Sequence, residues 1–187
     1  MHAQQALAAT ELLGFVSVLD IGSGDGLHAA RFRSLGKQVT TISLCPPADY
    51  VGDYLDIELG QHDLVWACHV LEHQRNPGLF LEKCFDDCRQ WFCVTVPPLK
   101  HEIVGGHVSL WNAGLLIYHL ILAGWDCSQA RVMQYGYNIS LLVEKKRAVL
   151  PSLKMDYGDI DALKEFFPMP VVHGFNGDIY EIGDSMR

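Results

Sequence analysis

The stretch VLDIGSGDG, residues 18–26, sets three glycines at alternate positions behind an apolar run that ends in an acid. A strand that runs into glycines and opens a helix exposes backbone N–H groups beside the positive helix terminus, where the polar end of a ligand can approach closely. The spacing Gly22, Gly24, Gly26 departs from the G-x-G-x-x-G fingerprint of dinucleotide-binding folds, because Leu27 stands where its third glycine belongs. Asp20, directly ahead of the turn, repels phosphate and attracts an ammonium group. The crest therefore suits a ligand with a cationic amine better than a pyrophosphate.

Outward from this crest the pattern alternates. Residues 2–13 read as a leading helix ended by Gly14, residues 16–21 as a strand, and residues 25–35 as a helix closed by Gly36. QVTTISL (38–44) is a strand, CPPADY (45–50) a loop, and DLVWAC (63–68) a strand. A helix starts at Pro77 and runs to about Gln90, and WFCVTV (91–96) is a strand. After the loop 97–110 a helix spans Asn112 to Ala123, stopped by Gly124. QARVMQYGY (129–137) and ISLLVEKK (139–146) meet closely around Asn138, as an antiparallel pair at a sheet edge does. These features predict an α/β fold: a doubly wound three-layer sandwich whose mostly parallel seven-stranded sheet ends in an antiparallel edge hairpin. Residues 1–150 form its main body. The extension 151–187, in the same domain, holds a short helix at 159–167 and a second hairpin around Asn176–Gly177 in VVHGFNGDIYEI.

With 187 residues the chain can bury about 70% of its unfolded surface. Its formal charge is −8 and no run of Lys or Arg builds a stripe for a phosphate backbone, so nucleic acid is excluded as a partner. The longest apolar run, LLIYHLILAGW (115–125), falls short of the roughly 20 residues that cross a bilayer and reads as a core helix, which leaves no membrane span. The six cysteines lie in apolar or helical segments without a CxxC pair or a preceding leader, which predicts reduced thiols and a cytoplasmic location. Cys84 and Cys88, four apart, read as packing residues rather than as a metal or redox pair.

VLDIGSGDG resembles the first motif of the class I S-adenosylmethionine-dependent methyltransferases. The resemblance continues through DLVWACHVLEHQRNPGLFLEK, FCVTVPP and GHVSLWNAGLLIYHLILAGW to NISLLVEKK. It implies S-adenosylmethionine as cofactor, S-adenosylhomocysteine as product, and Asp20, Gly22, Ser23, Gly24 and Gly26 as the cofactor loop, with the acid on the methionyl amino group. The family's ribose-binding acid is replaced by Ser43, whose hydroxyl makes one such bond without the charge. In GDYLD, Asp53 would accept from the adenine amine with Tyr54 beside it, unless Asp53 is only the turn residue after Gly52. His69 would line the pocket near the sulfonium.

An acceptor hydroxyl or acidic carbon calls for a base, and His69, His73, His101 and His107 all follow strand ends where ligands bind in such sheets. His107 in GGHVSLW (105–111) is the first choice, with Trp111 as a pocket wall, and His73 the second. HVLEH (69–73) also spaces His69, Glu72 and His73 as candidate ligands of one divalent metal, with His107 a fourth; otherwise His73 only orders the loop. The Asp/Asn-Pro-Pro-aromatic loop of base-amino methyltransferases is replaced by ACHVLEH, which points to a small-molecule acceptor. The tail, with His173, Phe175 and Tyr180, would serve as a lid or as the contact of a homodimer. A cofactor-binding regulatory subunit without catalysis is the alternative from another class. A nicotinamide-dependent oxidoreductase is disfavoured by Asp20 and Leu27.

Overall fold

The computed structural model describes residues 2–183. The strands are β1 Ser17–Ile21, β2 Gln38–Ser43, β3 Tyr50–Val51, β4 His62–Cys68, β5 Cys88–Val96, β6 Arg131–Tyr135, β7 Asn138–Glu144 and β8 Glu181–Ile182. The α-helices are α1 Gln4–Glu11, α2 Leu27–Ser34, α3 Pro77–Asp87, α4 Ala113–Leu122 and α5 Asp159–Leu163. Among the described residues one sheet holds all eight strands, in the order β3-β2-β1-β4-β5-β7-β6-β8. β1 to β5 are mutually parallel, whereas β7 is antiparallel to β5 and β6, and β8 to β6. The sheet thus has eight strands rather than seven, two of them, β3 and β8, only two residues long.

Alternation along the central strands builds both cores. Val18, Leu64, Trp66 and Cys93 face α1 and α2, where they pack with Ala6, Leu7 and Phe32. Leu19, Ile21, Val65, Ala67, Phe92 and Val94 face the opposite way, into one cluster with Phe80, Leu81, Leu116 and Leu120 of α3 and α4. Asparagines start both of those helices: the Asn76 side chain accepts from Leu79 N ahead of Pro77, and the Asn112 side chain from Leu115 N. α3 stops at Asp87 rather than near Gln90, because Cys88 already pairs with His62 as the first residue of β5. Cys84, Cys88, Cys93 and Cys127 are buried packing residues and Cys45 is exposed; burial pushes the Cys88 thiol up to about 12. Among the described residues no helix is long and apolar enough to cross a membrane.

The chain winds from β1 outward through β2 to β3, then returns to lay β4 on the other flank of β1. The loops leaving β1 and β4 diverge at this reversal, which opens a crevice at their carboxyl ends.

The tail departs from expectation. Asn176–Gly177 does not close a hairpin: residues 171–180 form no strand, and Glu181–Ile182 pair with Met133 and Val132 of β6. The free edge of β6 offers a ladder that a self-paired hairpin would forgo. The turn is fastened instead to the start of α4, where Gly114 N donates to Gly177 O at 2.9 Å and Asn112 Nδ2 to Asn176 O at 3.1 Å. A Cβ on Gly177, whose φ is +79°, would come within 2.3 Å of Asn112 Oδ1. Gly174 has φ +83° but open space around it. Gly174→Ala therefore carries only the left-handed strain, about 1 kcal/mol, whereas Gly177→Ala should lower the thermal midpoint distinctly further. Equal midpoints in the two variants would rule out this docking.

Candidate active site

A cleft of about 410 Å³ opens where β1, β2 and β4 end, and Gly22, Ser43, Asp53, His69 and His73 line it. Gly22 N and Ser23 N both donate to Ile42 O, at 2.8 and 3.2 Å, which folds the crest onto β2. Gly22 has φ +69°, and a Cβ there would meet Val70 Cγ2 at 2.3 Å. Only a bare backbone fits between that side chain and the cleft. α2 begins at Gly26 with no side-chain cap, so its positive end stays available to a ligand.

Asp20 does not stand on the cleft wall. It lies between Leu19 and Ile21, which both face the α3 and α4 core, so its own side chain turns towards α2, where it is 1% exposed. Burial raises its carboxyl to about 7, against the opposing pull of the Ala29 backbone N–H. Asp20 Oδ2 and the buried Ser23 Oγ have no hydrogen-bond partner among the described residues. Two orphaned polar atoms behind a glycine cradle fit a ligand carrying an amine.

Ser43 is half-buried at the end of β2. Asp53 caps a 3-10 turn over Tyr54–Asp56 through Oδ1, which accepts from Leu55 N at 3.0 Å, while the residue as a whole stays exposed on the cleft. Tyr54, expected beside an adenine, is among the residues lining the cleft but is largely buried. Its hydroxyl donates to Asp87 Oδ2 at 2.8 Å and its ring packs edge-on against Phe80.

His69 takes φ +56°, a left-handed conformation, and both of its ring nitrogens meet acceptors: Glu72 Oε1 at 3.1 Å and Asn138 Oδ1 at 3.0 Å. Asn138 is oriented by its own Nδ2, which donates to Tyr135 O at 3.3 Å. Burial disfavours the imidazolium, but the Glu72 and Asn138 contacts outweigh it and His69 titrates above its ordinary range. Sequence reasoning missed Asn138, which reads there as a turn residue only, and Tyr137, whose ring stacks on His69 with centroids 6.0 Å apart. Their pairing with His69 is long-range and leaves no local signature.

A second cavity of about 240 Å³ lies under the loop after β5, lined by Pro97, Lys100, His107, Trp111 and Tyr137. The two cavities meet at two pairs. His69 of the first stacks on Tyr137 of the second, and His73 of the first packs edge-on against His107 of the second at 5.0 Å between centroids. His101 lines the second cavity from an exposed position.

The raised Asp20 carboxyl fixes the sign of a pH effect. A carboxyl lifted in the folded state contributes stability that is complete below its unfolded value and lost as pH rises through its folded value. The ligand-free protein should lose stability across about pH 4 to 7, by at most about 1.4 kcal/mol per pH unit from this group. Asp20→Asn should flatten that slope in denaturant titrations, and parallel curves for the two proteins would show that Asp20 ionises freely.

Residues 19–89 match the methyltransferase-domain family. The search of curated proteins returns no match. Among solved structures, the chain is similar to an S-adenosylmethionine-dependent methyltransferase from Archaeoglobus fulgidus, with 13% identity, TM-score 0.61, and coverage of 76% of this chain and 94% of that one. It is also similar to the 1,6-didemethyltoxoflavin-N1-methyltransferase of Burkholderia thailandensis, solved with 1,6-didemethyltoxoflavin and S-adenosylhomocysteine bound (18% identity, TM-score 0.62, 76% and 77% coverage). A third is the methyltransferase in a Haloferax volcanii complex with the activator Trm112 (18% identity, TM-score 0.57, 89% and 82% coverage). The matched segment contains Asp20, the three glycines and residues 69–73, and the solved structures share the fold of this chain.

Proposed function

We propose that the chain methylates a hydroxyl, amine or carbon of a small molecule seated in the cavity beneath residues 97–111. The observation that carries this reading is the meeting of the two cavities at His69–Tyr137 and His73–His107, which sets an acceptor against the cofactor cleft. The second cavity is small and walled by proline, aromatic and aliphatic side chains, with Lys100, His101, Glu102, His107 and Ser109 as its polar members. The formal charge of −8 argues against nucleic acid as the acceptor.

In this reading Gly22, Ser23, Gly24 and Gly26 bring backbone up to the methionyl end. Asp20 supplies the negative charge behind them, Ser43 meets the ribose, and Asp53 presents its Oδ2 to the adenine amine. The cofactor brings a methyl on a sulfonium whose leaving group departs neutral, so alignment carries much of the rate, on the order of 7–11 kcal/mol in favourable cases. His107 and His73 are the groups that hold the acceptor or move its proton, worth about 10²- to 10⁴-fold. Residues 151–183 belong to the same unit as a fixed support rather than a mobile lid. What supports this is the docking of Asn176 and Gly177 on the start of α4, next to Trp111.

Calorimetry should register both S-adenosylmethionine and S-adenosylhomocysteine. Asp20→Ala should weaken both at least tenfold, about 1.4 kcal/mol. Unchanged affinity would remove Asp20 from the cofactor site, and absence of heat with either ligand would remove the methyl-transfer reading. Against a panel of small hydroxylated and aminated acceptors, His107→Ala should cut turnover about a hundredfold or more and leave cofactor affinity intact; the reverse pattern would assign His107 to the cofactor shell.

A further inference from the structure

Glu72 is a fully buried carboxylate, and its Oε2 has no hydrogen-bond partner among the described residues. Left charged and half-satisfied in the interior, such a group is costly unless a cation completes it. Its other oxygen, Oε1, is held by His69. His73 presents Nε2 towards the same carboxylate, at 3.9 Å from Oε1. Its Nδ1 donates to Gly106 O at 2.8 Å, which leaves Nε2 as the bare nitrogen. A metal-binding histidine is commonly oriented this way, with the remote ring N–H on a backbone carbonyl. His107 completes the group: one ligand atom each from Glu72, His73 and His107 lie within 4.8 Å of one another.

Two loops are tied together to make this arrangement. Glu72 sits in the 3-10 turn Leu71–His73 after β4, and its backbone oxygen accepts from Val108 N at 2.9 Å, next to His107 in the loop after β5. An ion about 2.1 Å from each ligand atom needs them about 3–3.5 Å apart, so the three side chains have roughly an ångström to close. His73 is exposed and His107 half-exposed, so both can move. His69 is not available as a ligand, since both of its nitrogens are engaged by Glu72 and Asn138.

We infer that Glu72, His73 and His107 form a two-histidine, one-carboxylate site for a single divalent transition-metal ion, open towards both cavities. Two imidazoles against one carboxylate favour Zn²⁺ or Co²⁺ over Mg²⁺ and Mn²⁺, which suit oxygen ligands. Three protein ligands leave coordination positions for a small molecule, as an open rather than a structural site does. In the loaded protein, His73 and His107 act as ligands and not as bases. The inference goes beyond the methyl-transfer reading and does not require it.

The test is calorimetry and metal analysis on the full chain after chelator treatment, with Zn²⁺, Co²⁺, Mn²⁺ and Mg²⁺ each added alone and no cofactor present. The expected result is one Zn²⁺ or Co²⁺ per chain, bound at least tenfold more tightly than Mg²⁺. His107→Ala and Glu72→Gln should each weaken it tenfold or more, while His101→Ala and Cys45→Ser leave it unchanged. The absorption spectrum of the Co²⁺ form should lack a thiolate charge-transfer band. No stoichiometric binding, binding that survives His107→Ala, or loss of binding with Cys45→Ser would each overturn the site. Should Glu72→Gln fail to fold, His107→Ala decides, because its side chain is half-exposed. S-adenosylmethionine binding, measured separately on the same preparation, keeps the two conclusions apart: either ligand can fail while the other binds.

Discussion

A carboxylate taken wholly out of water dictates what surrounds it, and Glu72 does so here. One oxygen claims an imidazole nitrogen of His69, which in turn is pinned by Asn138 at the start of β7. Its main-chain oxygen claims Val108 in the loop after β5. One residue thus links three segments far apart in sequence, and it is through these links that the two cavities share a border. Together with the His73 Nδ1 bond to Gly106 O, they fix the turn after β4 against the glycine-rich loop 105–106.

The β1 to β4 reversal supplies the ground on which this stands. Parallel strands buried on both faces leave their loops at one rim, and the rim splits where the winding direction changes. Gly22 and His69 follow the two strands that flank the split. Asp20 sits one layer below, on the α2 side of the sheet. An anion placed there acts on the crest through the short gap and the helix terminus rather than by lining the cleft, and the missing partner of its Oδ2 keeps it responsive to charge above.

Most of the architecture was legible in the sequence because period and punctuation agree. The glycine crest, the apolar strand runs and the asparagine starts of α3 and α4 each announce an element locally. The failures share a cause. Asn176–Gly177 has the composition of a hairpin turn, but the open edge of β6 competes for the chain that follows it. Tyr54 lines the cleft as its place in GDYLD suggests, but the bond of its hydroxyl to the buried Asp87, 33 residues away, cannot be seen from that motif. Asn138 and Tyr137 were hidden in the same way, since their role is defined by a ring 69 and 68 residues away. The HVLEH segment, by contrast, carried its chemistry openly, and only the division of labour between its two histidines needed coordinates.

The segment that follows residue 150 looks dispensable by its texture, yet Leu163, Phe166, Phe167, Val171 and Ile179 are buried in the same cluster as α3 and α4. At about 1.5–3 kcal/mol for each large apolar side chain, their gross contribution is of order 10 kcal/mol, comparable with the whole net stability of an ordinary domain. A protease nick or an early stop codon in this stretch would therefore deplete the protein from the cell by unfolding it, even though every group at the two cavities lies upstream of the lesion.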